Sequence, residues 1–233
     1  MIYVGIDDTD APGTPGTNHL ARALAARVAD RWACRLIVRH QLLDDPRVPC
    51  TSKNSAASIL LEPKDGDSFE PLVEELGELV RTRSVEGSDP GLCVTATVPP
   101  EVAAFARRCQ QELVAQQEAR NLAARHGLFL TGLGGTEDGV IGALAAVGLA
   151  AVGNDGRVVQ IAAWPDELSG WQPVEALGRR GVEARSLDTG KPIRGGLIDV
   201  GKHLRPNYRQ HQIVLFARAD DSQPERWHSV RYT

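Results

Sequence analysis

The chain reads as an α/β (α+β) protein, a mixed sheet with helical crossovers, and three observations predict this. Short runs such as "MIYVGI" and "LCVTATV" have the β-branched, apolar composition of buried strands. Between them, "HLARALAARVADRW" and "SFEPLVEELGELVRTR" repeat apolar residues three and four apart, the spacing of a helix with one buried face. Pro- and Gly-rich stretches, "DAPGTPGT" and "TGLGGTEDG" among them, punctuate the two patterns. Alternating strand and helix signals indicate layers around a core, as one compact unit or as two small, closely packed subdomains.

In order, residues 1–6 form the first strand and 7–16 a loop. Leu20, Leu24 and Val28 lie at helical spacing behind Thr17, which stands in the N-cap position. "RLIVRHQLL" is a strand, "DDPRVPCTSKN" a loop and "SAASILLE" a strand, before the amphipathic helix "SFEPLVEELGELVRTR". A polar loop, "SVEGSDPG", leads into the strand "LCVTATV", and Pro99 and Pro100 open a long helical stretch with one break. "LFLTGLGGTEDG" is a strand and a glycine-rich loop, and "VIGALAAVGLAAV" a buried helix. Beyond residue 153 the pattern is less regular: a strand near 158–163, a helix near 172–180 and a strand at 211–218. The organisation expected is therefore a first domain over 1–152 and an α+β portion over 153–233.

Composition bounds the function. A net charge of −4 and a pI of about 5.9 give no support to a dedicated nucleic-acid binder, which is usually basic. The longest apolar run, "VIGALAAVGLAAV", is too short to span a bilayer, and the N-terminus has no basic region of a secretory signal. Cys34, Cys50, Cys93 and Cys109 form no CxxC pair, which argues against structural zinc and against a secreted disulfide scaffold. The expectation is buried thiols in a cytoplasmic protein that does not bind membranes.

Three carboxylates in four positions, Asp7, Asp8 and Asp10, follow the first strand. Such a cluster is either a solvated turn or a site for something positive, since like charges repel unless a cation or proton offsets them. Hard oxygen ligands in a strand-to-helix loop suit Mg2+, which keeps waters and binds substrate phosphates. Thr17, at the helix start behind them, is either a plain cap or a group that contacts or receives phosphate. Gly132, Gly134, Gly135 and Gly139 precede a helix and either let a phosphate approach the backbone or simply permit tight packing. Thr51, Ser52, Lys53 and Asn54 offer donors to phosphate oxygens, and Asp89 with Pro90-Gly91 forms a turn before a strand. From Arg179 to Arg209, eight Arg or Lys face three acids, either a solvated basic face or a surface for a polyanion.

Together these motifs resemble the archaeal tRNA agmatinylcytidine synthetase family, TiaS. "GIDDTD" with a following Thr and "HLA", the loop "DPRVPCTSKNSAA", "SDPG" and "IGALAAVG" occur in the family's order over residues 1–150. The resemblance implies an unusual kinase-like domain that binds ATP and Mg2+ through the aspartate loop. In that family the domain phosphorylates the wobble cytidine of an isoleucine tRNA, and agmatine displaces the phosphate. Carried over by position, Asp7, Asp8 and Asp10 hold the metal and act in catalysis, Thr17 is the phosphorylated threonine, and Asn54 is the loop asparagine. Thr51, Ser52, Lys53, Asp89, Gly91, Gly134, Gly135 and Gly139 then approach the nucleotide; the resemblance fades beyond residue 150, and residues 153–233 are expected to complete the catalytic unit.

The departures are specific. The family's Arg-Gly before the asparagine is Ser52-Lys53, its Asn-Pro-Gly is Asp89-Pro90-Gly91, and its Gly-Arg-Gly is Glu137-Asp138-Gly139. The anticodon-binding and zinc-ribbon parts find no counterpart in these 233 residues. The expected activity is phosphoryl transfer, or ligase-like activation of an oxygen, onto a small-molecule acceptor. The alternatives are a tRNA cytidine-modifying enzyme acting with a separate RNA-binding chain, and a non-catalytic nucleotide-binding module.

Overall fold

Apolar residues on both sides of "IYVGI" require a cover on each face of the first strand, and this requirement organises the first unit. The computed structural model describes residues 1–51, 53–64, 69–162 and 168–232. Ser52, Ser68, Ala163 and Thr233, which belong to readings above, lie outside the described residues. The chain divides into two compact units, Met1–Val152 and Gly153–Thr233. The α+β class expected from the sequence is the class observed.

In the first unit, β1 (Ile2–Asp7), β2 (Trp32–Gln41), β3 (Ser55–Pro63), β4 (Gly91–Thr95) and β5 (Phe129–Gly132) form an antiparallel sheet in the order β5-β4-β1-β3-β2. The helices are α1 (Thr17–Arg27), α2 (Phe69–Arg83), α3 (Pro100–Arg108), α4 (Gln116–Arg125) and α5 (Gly139–Val152). The long helical stretch expected from Pro99 onward is α3 and α4, with a break over 109–115.

β1 is central, and successive side chains alternate between its faces. On one face α5 lies directly on the strand: a Cβ on Gly5 would stand 2.0 Å from the Ala143 carbonyl oxygen. Only a chain of Gly and Ala can approach that closely, which explains the composition of α5. On the other face Val4 and Ile6 are fully buried, and α1 and α2 cover that side, α1 packing on β2 and β3 and α2 on α1 and β4, while α3 and α4 pack on α5. Asp7 shares the parity of Gly5, so the strand delivers its carboxyl to the α5 side.

The second unit holds β6 (Arg157–Ile161), β7 (Trp171–Pro173), α6 (Val174–Gly178), β8 (Val182–Ser186), β9 (Leu197–Asp199), β10 (Asn207–Arg209), β11 (Gln212–Ala219) and β12 (Arg226–Ser229). Its strands run β6-β10-β11-β12-β9-β7, with β8 parallel to β11 and β9 parallel to β12. The β10–β11 hairpin turns through Gln210 and His211, both at positive φ, as a two-residue loop that matches strand twist requires. No helix of the described residues is long and apolar enough to cross a membrane.

Candidate active site

The carboxylate cluster lies where β1 ends. Asp7 pairs with Gly91 in the sheet, and the chain leaves the strand at Asp8 through a left-handed φ of 51°. A cavity of about 460 Å³ opens there, lined by Asp7, Asp8, Asp10, Asp89 and Asp138 among others. Two helices start on it: Gly16, Thr17 and Asn18 of the α1 entry, and Gly139 and Gly142 of α5. The first N–H groups of a helix have no partner within it, so the α1 end favours an anion, whereas at α5 the Gly139, Val140 and Ile141 N–H groups already donate to the Asp89, Glu137 and Asp138 carbonyls.

The carboxyls are held in an uncomfortable state. Loss of water, with repulsion from Asp8 second, raises the Asp7 carboxyl to about 7 from the ordinary 3.8. Loss of water, then repulsion from Asp89 and Asp10, raises Asp8 to about 6. Asp7 packs directly on α5: a Cβ on Gly142 would stand 1.8 Å from its Oδ2. Asp10 is differently placed: its Oδ1 accepts a hydrogen bond from the Thr17 hydroxyl at 2.9 Å. The Thr9 hydroxyl in turn donates to Thr17 Oγ1 at 3.2 Å, with both threonines buried.

Thr17 is not the cap of α1. Gly16 takes that position, with extended φ and ψ of −66° and 166°, and Thr17 is the first helical residue. Its hydroxyl is therefore not consumed by a backbone N–H of its own helix and points instead to Asp10.

The loop over 42–54 supplies a second wall. Asn54 Nδ2 donates to the Leu43 carbonyl at 2.9 Å, so this side chain closes the loop on itself. Lys53 lies 3.3 Å from Asp44, Arg47 is clamped in two hydrogen bonds to Asp45, and the Thr51 hydroxyl contacts the Asp10 carbonyl at 3.4 Å. All four loop residues line the cavity. Ser52 lies outside the described residues.

The glycines divide. Gly139 lines the cavity, whereas Gly91, Gly134 and Gly135 do not. A Cβ on Gly91 would fall 2.1 Å from the Gly139 carbonyl carbon, and one on Gly135 1.8 Å from Asp89 Oδ1. These residues let the 88–91 turn nest against the 133–139 loop. There Gly139 N donates to the Asp89 carbonyl at 3.0 Å, and Thr136 N donates to the Asp89 carboxylate.

Residues the sequence reading did not single out also line the cavity. Arg39, on β2, has a guanidinium pushed below its usual range by burial. Leu113 and Val114 form an apolar rim between α3 and α4, fixed by Arg108 bridging Glu112 and Glu118. Asn18 carries a buried Oδ1 without a hydrogen-bond partner. Only its position, one residue past Thr17, could have flagged it.

The cysteines correct one expectation. All four are free, but Cys50 is exposed and Cys34 half-buried, and only Cys93 and Cys109 are buried. Burial pushes the last two thiols up to about 12, so they stay protonated.

No protein-family model matches the chain. The tRNA(Ile2) 2-agmatinylcytidine synthetase TiaS of Pyrococcus horikoshii is 28% identical over 153 residues, 64% of this chain and 35% of that protein. The same-named protein of Pyrobaculum neutrophilum is 35% identical over 157 residues, 63% and 35% of the two chains. Among solved structures, a tRNA fluorescent labeling enzyme superposes with a TM-score of 0.55 at 27% identity, over 63% of this chain and 35% of its own. The TiaS-tRNA(Ile2)-ATP complex gives 0.54 at 28% identity, over 63% and 36%. This chain thus spans about a third of the length of the curated relatives it matches. With "GIDDTD" at the end of a central strand and "IGALAAVG" packed across it, the chain carries a TiaS-like N-terminal domain.

Proposed function

We propose that this chain is an ATP-using, ligase-like enzyme of tRNA modification whose first unit carries out phosphoryl transfer. The observation that carries the reading is the Asp7–Asp8 pair. Two carboxyls are pressed together with little water between two helix N-termini, an arrangement that costs stability until a cation enters. Two relatives are tRNA(Ile2) 2-agmatinylcytidine synthetases and a similar solved structure is a complex with tRNA(Ile2) and ATP, which supports the choice of substrate classes. They also favour RNA over the small-molecule acceptor expected from the sequence.

Mg2+ fits this donor set. Among the described residues no group of three His, Cys, Asp or Glu side chains stands close enough to share one ion. That suits a metal which takes one or two protein carboxylates and fills its shell with water and phosphate oxygen. Asp7 and Asp8 would hold it, and when bound it would neutralise charge on the phosphates of ATP. The α1 N-terminus would receive the phosphate oxygens, with Lys53 and Arg39 as the nearby cations and Thr51, Asn54, Asp89 and Gly139 shaping the walls.

Asp10 and Thr17 form a nucleophile–base pair at 2.9 Å. As Thr17 Oγ1 attacks the terminal phosphorus, its proton passes to Asp10 Oδ1, and the bond from phosphorus to the bridging oxygen breaks to release a diphosphate nucleotide. The donor hydrogen bond from Thr9 holds the Thr17 oxygen with its remaining lone pair free for attack.

The test is intact-mass analysis after incubation with ATP and Mg2+. Wild type and Thr17→Ser gain one phosphate and Thr17→Ala gains none. Asp10→Asn slows the gain by ~10²–10⁴-fold, the contribution of a positioned base. ATP binding without any phosphate gain would replace this reading by a non-catalytic nucleotide-binding module.

A further inference from the structure

The second unit carries a surface that the proposed active site does not use. Sheet register sets Trp171 on β7 opposite Asp199 on β9, and Asp199 opposite His228 on β12. Paired residues of neighbouring strands project to the same side, so these three form one row. Pro173, Leu197 and Arg226 form the next row on that side. The alternate residue Ile198 is fully buried, so the Trp171 side faces out.

Trp171 is 40% exposed, a large ring left open on a sheet face. The Arg226 guanidinium lies 4.9 Å from its ring centroid, and His228 meets it edge-on at 5.1 Å. The indole is thus held in place with area to spare.

Charge surrounds it on both sides. From Thr189 to Leu204, the stretch that contains β9 and its flanking turns, three Arg or Lys accompany one acid, Asp199. Lys202 and His203 are exposed on the turn that is tied to Gly170, next to Trp171, by the Gly170 N to Gly201 O bond of 2.8 Å. Arg194 is exposed on the loop that receives the Val174 N–H through the Gly196 carbonyl at 3.1 Å. Three carboxylates near the face have basic partners, while Glu175 and Glu225 border the 194–196 loop. Asp199 and Asp220 stand 3.9 and 3.2 Å from the two ring nitrogens of His228, and Asp188 stands 3.4 Å from Arg218.

We infer that this face binds a single-stranded stretch of RNA. One base stacks on Trp171, and the phosphates on either side meet Arg194, Lys202 and Arg226. An aromatic platform among cations is the chemistry that takes unpaired bases, since every base has a π-face and every linkage a charge. The preference for RNA over another polyanion rests on the tRNA reading above, but the residues are separate from the carboxylate cavity. The two readings can therefore fail independently.

The experiment is fluorescence anisotropy of a labelled short oligouridylate against the full chain at low salt, with Mg·ATP thermal shift run on every variant. Wild type binds, Trp171→Ala weakens binding by roughly 5- to 150-fold, and Trp171→Phe keeps most of it. Lys202→Gln lowers the slope of log affinity against log salt by about 1. All variants keep the wild-type response to Mg·ATP, which also reports that they fold. Absence of RNA binding, equal affinity of Trp171→Ala, or a self-association lost on Trp171→Ala would overturn the inference. RNA binding without any Mg·ATP response would leave it standing and sink the active-site reading instead.

Discussion

Asp7→Asn is expected to make the metal-free protein more stable at pH 8, an unusual result for a substitution at the heart of a site. The sign follows from the two ionisation states. The Asp7 carboxyl titrates at about 7 in the folded chain and at an ordinary 3.8 when unfolded. Above pH 7 both states are ionised and the folded one bears the full cost of a dehydrated charge beside Asp8. As the pH falls from 7 towards 4 the folded state takes up a proton before the unfolded state does, so stability rises. Asparagine keeps the shape and removes the charge. A tenfold change in proton affinity is worth about 1.4 kcal/mol, and the charge interaction is shared with Asp8, so the gain at pH 8 is about 2–4 kcal/mol. In a protein of this size that is roughly 5–15 °C in melting temperature. The gain shrinks towards zero at pH 4. Thermal melts of wild type and Asp7→Asn in EDTA across pH 4–8 check it, and a wild type whose stability does not rise on acidification would contradict it.

The second large effect separates two glycines three residues apart in α5. At Gly139 an added Cβ would meet only backbone: the Asp89 carbonyl oxygen at 2.4 Å, Gly91 N at 2.6 Å and the Asp7 carbonyl oxygen at 2.9 Å. Nothing there yields cheaply, so Gly139→Ala should cost about 1–3 kcal/mol or more by forcing the strand and helix apart. At Gly142 the methyl would collide with the Asp7 carboxyl, at 1.8 Å from Oδ2. A side chain can swing away, so Gly142→Ala should fold well but displace the carboxylate from the cavity and weaken Mg·ATP binding at least tenfold. Melting temperature and Mg·ATP affinity measured on both variants give opposite patterns: one loses stability, the other loses ligand. Equal losses of stability would mean that Asp7 is fixed by the helix and not merely placed beside it.

How much of this was legible in the sequence differs between the units. β1 and the Gly/Ala-rich α5 were legible because both are strongly patterned, the one by β-branched residues and the other by small ones. The aspartates of "GIDDTD" announced a site, but not their division of labour. Only the fold puts Asp7 and Asp8 side by side and hands Asp10 to the Thr17 hydroxyl. Thr17 looked like a helix cap because Ser and Thr favour that position. The structure gives the cap to Gly16, and a one-residue shift changes what the hydroxyl does. The glycines of 131–139 were ambiguous between ligand and packing, since both uses need a missing Cβ, and three-dimensional contact alone separates Gly139 from Gly134 and Gly135. In the second unit β7, β9 and β10 are three residues each, too short for a period of two to register. The Trp171 platform is assembled across β7, β9 and the four-residue β12 and so left no local signature.

The central claim is that the aspartates after β1 hold a cation against phosphate. It is tested most directly by a thermal-shift titration with ATP, with and without Mg2+, on wild type and on Asp8→Asn. At a hundredfold excess over its dissociation constant the ligand should stabilise wild type by about 2.7 kcal/mol. That shift should require Mg2+ and disappear in Asp8→Asn. An equal shift in both proteins, or none in wild type, would contradict it.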